Sequence, residues 1–214
     1  LLGLVPNDLS ARLSKAIARL RRRGPDDQKT WQDGQCAMAF ARLAVIDLTA
    51  EAAQPMARHG RVITFNGEIY NYQSIRRDLE QLGYVFTSQS DTEVILAGWS
   101  AWGADLLPRL NGMFAFALWD PQHGELILVR DRFGKKPMVY TVHGKEITFA
   151  SDLAALGTLT DKIGGLDIEA LRLFCALRYI PAPWTIRAGA QKLAAGHYLK
   201  FSKDGVRIHQ WYDL

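Results

Sequence analysis

The sequence predicts an α+β fold made of antiparallel hairpins, with helices lying between groups of strands rather than after each one. Three observations predict it. Short apolar runs come in pairs joined by turn-forming residues. Stretches with helical periodicity are few and stand apart from those pairs. The strict strand–helix alternation of a parallel sheet is missing.

Leu9, Leu13, Ile17 and Leu20 recur at three- and four-residue spacing and predict an amphipathic helix. Asn7 or Asp8 can cap its start, and Gly24-Pro25 stops it. Residues 36–40, 43–46 and 61–65 read as strands, the last running into Asn66-Gly67. Ile75, Leu79 and Leu82 restore the helical period up to Gly83, and a further helix covers residues 92–102. Runs 113–119 and 125–129 flank the turn residues 120–124 and form the clearest hairpin. A second hairpin turns at His143-Gly144, between 138–141 and 146–149. A third turns at Asp204-Gly205, between 197–201 and 206–211, and residues 167–177 read as a helix. A soft boundary falls near residues 157–165, so 158–214 is expected as a C-terminal extension of a domain spanning 1–214.

The 214 residues are 48% hydrophobic and 22% charged, which is ordinary for a soluble globular chain. No apolar run reaches the roughly 20 residues that span a bilayer, and no export leader opens the sequence. The expectation is therefore a cytoplasmic protein with no membrane partner. Cys36 and Cys175 lie far apart with no ligand companions, so the reading is two buried thiols and no metal site. Arg12, Lys15, Arg19, Arg21, Arg22 and Arg23 supply six positive charges, and removing them from the net +4 leaves −2. One basic helix on a mildly acidic chain reads as a solvated or docking face, and no nucleic-acid partner is expected.

Four segments set polar residues against apolar runs. Asn66 and Gly67 could offer two N–H donors to one oxyanion, although an Asn-Gly pair by itself is usually a turn. Glu68 follows as an acid that could meet an ammonium. Arg42, at the mouth of an apolar strand, could grip a carboxylate with paired hydrogen bonds, or be a plain surface arginine. Ser90 or Asp91 can cap the helix that follows, and Asp91 could also take a substrate amine. Residues 130–137, with Asp131 between two arginines, read as a structural ion-pair turn.

Taken in order, these segments match a family. RGPD at 23–26, ARLAVID at 41–47, QPM at 54–56, FNGEIYN at 65–71 and SDTEV at 90–94 resemble the N-terminal glutaminase domain of the asparagine synthetases. So do LNGMFAFALWD at 110–120, RDRFGKKP at 130–137, FASDLAAL at 149–156, LRYIPAP at 177–183, KLAAGHYL at 192–199 and the closing WYDL. This is the class II, N-terminal-nucleophile type of glutamine amidotransferase.

The resemblance implies a four-layer α-β-β-α sandwich of two antiparallel sheets. It implies L-glutamine as substrate, held by Arg42, the backbone of Leu43, Ala44, Val45 and Ile46, and the carboxylates Glu68 and Asp91. It makes Asn66 and Gly67 the oxyanion hole. The nucleophile is implied to be an N-terminal cysteine whose own α-amine is the base, and the sequence as given opens Leu1-Leu2-Gly3 instead. The 21 positions from Leu2 to Arg23 are short for a strand, a loop and a helix, which favours a few preceding residues that carry Cys-Gly. The alternative is a dead pseudo-amidotransferase with a structural role. Asp152 stands where the family usually has Glu, and Arg22 where His is common. No Ser-Gly-Gly-x-Asp-Ser signature occurs, so ATP and Mg are expected only for an absent C-terminal synthetase domain, and no cofactor for this one. A homodimer is the assembly left open.

Overall fold

The computed structural model describes residues 8–213. Helix α1 (Leu9–Leu20) buries Leu9, Leu13 and Ile17 of the expected stripe together with Ala16, while Leu20 is half-buried. Its last carbonyl, on Leu20, accepts the amides of both Arg23 and Gly24. Strands β1 (Asp27–Gln32) and β2 (Ala37–Arg42) form an antiparallel pair. β1 was not expected, because it is largely exposed and carries no apolar run.

Next come β3 (Met56–Arg58), β4 (Arg61–Ile69), α2 (Tyr72–Gln81) and α3 (Asp91–Trp102). The long hairpin is β5 (Gly112–Asp120) and β6 (Glu125–Arg130), and the second is β7 (Val139–His143) and β8 (Glu146–Ala150). Helices α4 (Leu153–Leu159) and α5 (Ile168–Leu177) precede a short β9 (Gln191–Lys192). The third hairpin is β10 (His197–Ser202) with β11 (Gly205–Gln210).

Among the described residues the large sheet has six strands, in the order β11-β10-β6-β5-β4-β3, all antiparallel. A second layer holds the β1-β2 pair and a three-stranded sheet β8-β7-β9. The alternation of side chains along a strand sorts the core into two halves. Phe114, Phe116 and Leu118 of β5 meet Ile63, Phe65 and Ile69 of β4 beneath α2 and α3. Ala115, Ala117 and Trp119 face the other way, toward Met38, Met138, Tyr140 and Ile147. Outside the second layer, α1 packs on α4 through Leu13, Ala16, Ala155 and Leu159. The layers are thus helix, sheet, sheet, helix, as expected.

α3 is buried all the way from Asp91 to Gly98, so it runs through the interior rather than over the surface. α5 is the opposite case. Among its described residues only Ala170 is buried, and Ile168, Phe174 and Leu177 stay exposed. Cys175 on this helix is exposed too, which corrects the expectation of two buried thiols; Cys36 is fully buried. α5 carries apolar residues around its whole circumference, so no single stripe reports which face is covered.

The 130–137 turn also departs from its expected form. Asp131 is fully buried, and among the described residues it forms no salt bridge with either flanking arginine. Its carboxylate accepts the amides of Phe114, Phe133, Lys135 and Lys136 at 2.9–3.2 Å. Arg130 turns instead to the carbonyls of Gly134, Lys136 and Leu193, and Arg132 to those of Pro108 and Leu110. Backbone groups of the turn and of the neighbouring segments 108–114 and 193 satisfy each charge in place of the neighbouring side chain.

Candidate functional site

β2 delivers Arg42 to the edge of the second layer, and the chain there stops being a strand. The run 43–46, expected as a strand, is a loop. The carbonyl of Arg42 accepts the amide of Asp26, and the amide of Ala44 is taken by the Asp26 carboxylate at 2.8 Å. Those bonds turn the backbone away from a ladder. The close approach explains Gly24 as well. A Cβ at Gly24 would lie 2.1 Å from the carbonyl oxygen of Ala41.

The Arg42 guanidinium donates to the carbonyl of Thr49 at 3.1 Å and to that of Asp47. The loop therefore closes around the arginine. Leu43, Val45 and Leu48 point outward and are 59%, 67% and 74% exposed, so the loop meets the cavity mainly with backbone.

β4 supplies the next three residues. Val62 faces the gap between the sheets, so Thr64, Asn66 and Glu68 face it too by the two-residue period. Asn66 has a buried side-chain Nδ2 with no hydrogen-bond partner among the described residues. A buried amide donor left unpaired is costly, so the position calls for an acceptor.

The backbone of Gly67 is placed by its neighbours. The amide of Phe65 donates to Gln54 Oε1 at 2.6 Å, and that of Ile69 to Asp91 Oδ2 at 3.0 Å. The Gly67 N–H lies between these two and points to the same strand edge. β3 pairs only with residues 61–63, so among the described residues no strand pairs with that edge at Gly67. Glycine is required here. A Cβ at Gly67 would sit 2.2 Å from the carbonyl oxygen of Met113, and the residue holds φ at 154°.

Asp91 opens α3, whose N-cap is Ser90, with its hydroxyl accepting the amide of Thr92. Burial pushes the Asp91 carboxyl up to about 6, with the Glu68 charge acting in the same direction and the Ile69 and Thr92 amides opposing. Behind it, Glu93 accepts the amides and hydroxyls of Thr87 and Ser88. Burial resists its ionisation, but those bonds outweigh it and hold Glu93 below the usual carboxylate range.

Arg42, Leu43, Ala44, Val45, Ile46, Asn66, Gly67, Glu68 and Asp91 all line one cavity of about 540 Å³. Its floor is made of the small side chains Ala115 and Ala117 and of Met113. Two carboxyl groups and one guanidinium line the cavity together with a buried amide and a backbone N–H. That set suits a small zwitterion carrying a carbonyl. Asp152, by contrast, caps α4 through the amides of Ala154 and Ala155.

Residues 2–212 match the glutamine amidotransferase domain family over nearly the whole chain. The chain belongs to that family. This amidotransferase domain is similar to a putative glutamine-hydrolyzing asparagine synthetase of Mycobacterium tuberculosis, 37% identical over 92% of the chain and 32% of the relative. It is similar to glutamine-hydrolyzing asparagine synthetase 3 of Bacillus subtilis, 36% identical over 91% of the chain and 32% of the relative. The chain thus spans about a third of the length of the curated relatives it matches. Among solved structures, the glutamine phosphoribosylpyrophosphate amidotransferase of Bacillus subtilis superposes with a TM-score of 0.61. It is 19% identical, over 85% of this chain and 36% of that one, and the likeness concerns the fold alone.

Sequence reasoning missed several residues that hold the amidotransferase cavity in shape. Gln54 spans β4 and α3 by accepting from Phe65 and donating to Thr92 Oγ1 at 3.1 Å. Asp26, Asp47 and Glu93 act through backbone amides. Their only signal was membership of the short motifs, since a carboxylate that will bind an amide looks in sequence like any surface acid.

Proposed function

We propose that this domain hydrolyses the side-chain amide of L-glutamine and passes the ammonia to a C-terminal, ATP- and Mg-dependent domain that amidates aspartate. The observation that carries this reading is the unpartnered buried amide of Asn66 beside the Gly67 N–H, in the cavity that also holds Arg42, Glu68 and Asp91.

In this reading Arg42 takes the α-carboxylate, while Asp91 and Glu68 take the amino and amide ends. An N-terminal cysteine thiol, its proton transferred to its own α-amine, attacks the side-chain carbonyl carbon. The carbonyl oxygen becomes an oxyanion, and Asn66 Nδ2 and the Gly67 amide donate to it. Collapse breaks the C–N bond, and the ammonium returns its proton as ammonia leaves. Water then cleaves the thioester, giving glutamate and restoring the thiol.

Neither described cysteine suits the nucleophile's role. Burial pushes the Cys36 thiol up to about 12, and neither Cys36 nor Cys175 carries a free α-amine. The partner domain is supported by the length of the relatives and by the exposed apolar side chains of α5, which such a domain would cover.

The test is ammonia release from glutamine by the protein bearing an N-terminal Cys-Gly, with its C-terminal domain attached. Release that disappears on Asn66→Ala is the expected result. No release from the parent protein would return the domain to the non-catalytic, structural reading.

A further inference from the structure

We propose that Asp47 is a positioning residue that sets the distance between Arg42 and Asp91, and so makes the cavity selective for a ligand with carboxylate and ammonium on one carbon. The inference rests on the proposed glutamine site and extends it to a residue outside the expected set.

The geometry runs in one chain of bonds. The Arg42 guanidinium is held by the carbonyls of Asp47 and Thr49. One oxygen of the Asp47 carboxylate accepts the amide and hydroxyl of Thr49, at 2.8 and 2.6 Å. The other accepts the amide of Gln89 at 2.8 Å. Gln89 lies two residues before Asp91, which is bonded to Ile69 on β4. No other hydrogen bond among the described residues joins residues 42–49 to residues 87–91.

The far side of this link is stiff. Glu93 grips Thr87 and Ser88, and Arg76 donates to the carbonyl of Ser88 at 2.7 Å. The near side is a loop whose large apolar residues Leu43, Val45 and Leu48 point into solvent, so packing does little to place it. Its position then depends on the polar pins at Asp26 and Asp47. The Thr49 hydroxyl, above all, holds the Asp47 carboxyl below the usual range, and the Gln89 amide adds to this, so the link persists at neutral pH. A zwitterion presents its two charges at one fixed spacing, and a receptor must match that spacing to about 0.5 Å.

Asp47→Asn cuts the link selectively, because an amide nitrogen cannot accept from Gln89 while the remaining oxygen still serves Thr49. Binding of L-glutamine and of glutaramate, which is glutamine without its α-ammonium, is measured by calorimetry on wild type and variant. The expected result is about a tenfold loss for glutamine and about a twofold loss for glutaramate, with the thermal midpoint nearly unchanged. Thr49→Val, which keeps the Gln89 bond, should leave the ratio of the two affinities as in wild type. If Asp47→Asn leaves that ratio within twofold of wild type, whether both affinities persist or both fall, the positioning role is overturned. If the wild-type protein binds no glutamine, the reading of the site fails first, and the role of Asp47 fails with it.

Discussion

The Asp91 carboxylate accepts the backbone amide of Ile69 at 3.0 Å, which ties the first residue of α3 to the strand bearing Asn66, Gly67 and Glu68. A carboxyl group is thereby held beside a backbone edge, and Asp91 itself is only 4% exposed.

That burial has a consequence for pH. The Asp91 carboxyl is raised to about 6 in the folded domain, against 3.8 ordinarily. Between those values the folded state holds a proton that the unfolded state has released. The contribution to stability is therefore complete below about pH 4 and is lost as pH rises through about 6. Asp91→Asn should remain folded and gain on wild type above pH 6, by at most about 3 kcal/mol. Urea unfolding between pH 5 and 8 measures it, and a parallel offset at every pH would contradict it. Glutamine binding should show the opposite trend in wild type, strengthening from pH 5 to 7 as Asp91 ionises.

Among the described residues, the Arg42 guanidinium bonds only to carbonyls of the loop that follows it. Arg42→Ala is expected to abolish glutamine binding, by about a hundredfold or more, while changing stability by no more than about 1 kcal/mol. Calorimetric titration with glutamine and a urea melt report the two effects separately. A variant that unfolds would assign the arginine to loop structure alone.

Asp131 should behave in the contrary way. Its carboxylate accepts four backbone amides inside the core. Asp131→Asn puts a donor against some of those amides and should cost about 3 kcal/mol or more. Urea unfolding measures the loss. Because Lys136 and Pro137 line the cavity, glutamine affinity should fall along with stability.

The two thiols should differ sharply. Burial raises Cys36 to about 12, whereas Cys175 is exposed on α5. A disulfide-exchange reagent at pH 8 should modify Cys175 quickly and Cys36 only after unfolding. Mass mapping of the modified peptide checks the assignment.

Much of the architecture was legible because it rests on period and punctuation. The apolar run 113–119 and the turn residues after it announced β5, while the structure sorted its side chains onto two faces. The turns at Gly124, Gly144 and Gly205 all hold positive φ, as the hairpin reading requires. Residues 43–46 misled because an apolar run says nothing about whether a partner strand exists. The amide of Ala44 meets the Asp26 carboxylate 18 residues away instead, and the run became a loop.

By itself, the sequence determined the hairpins, the helical stripe of α1, the family resemblance and the residues expected around glutamine. Each of those is a property of local spacing or of an ordered set of short motifs. Only the tertiary structure decided which acids became ligands of the backbone. Asp26, Asp47, Glu93 and Asp131 are all carboxylates satisfied by amides, and those amides lie beside them only once the chain is folded. It also decided that Asn66 keeps a buried donor unpaired among the described residues. Hydrogen-bond saturation is a property of packed surroundings, and no pattern along the chain encodes it.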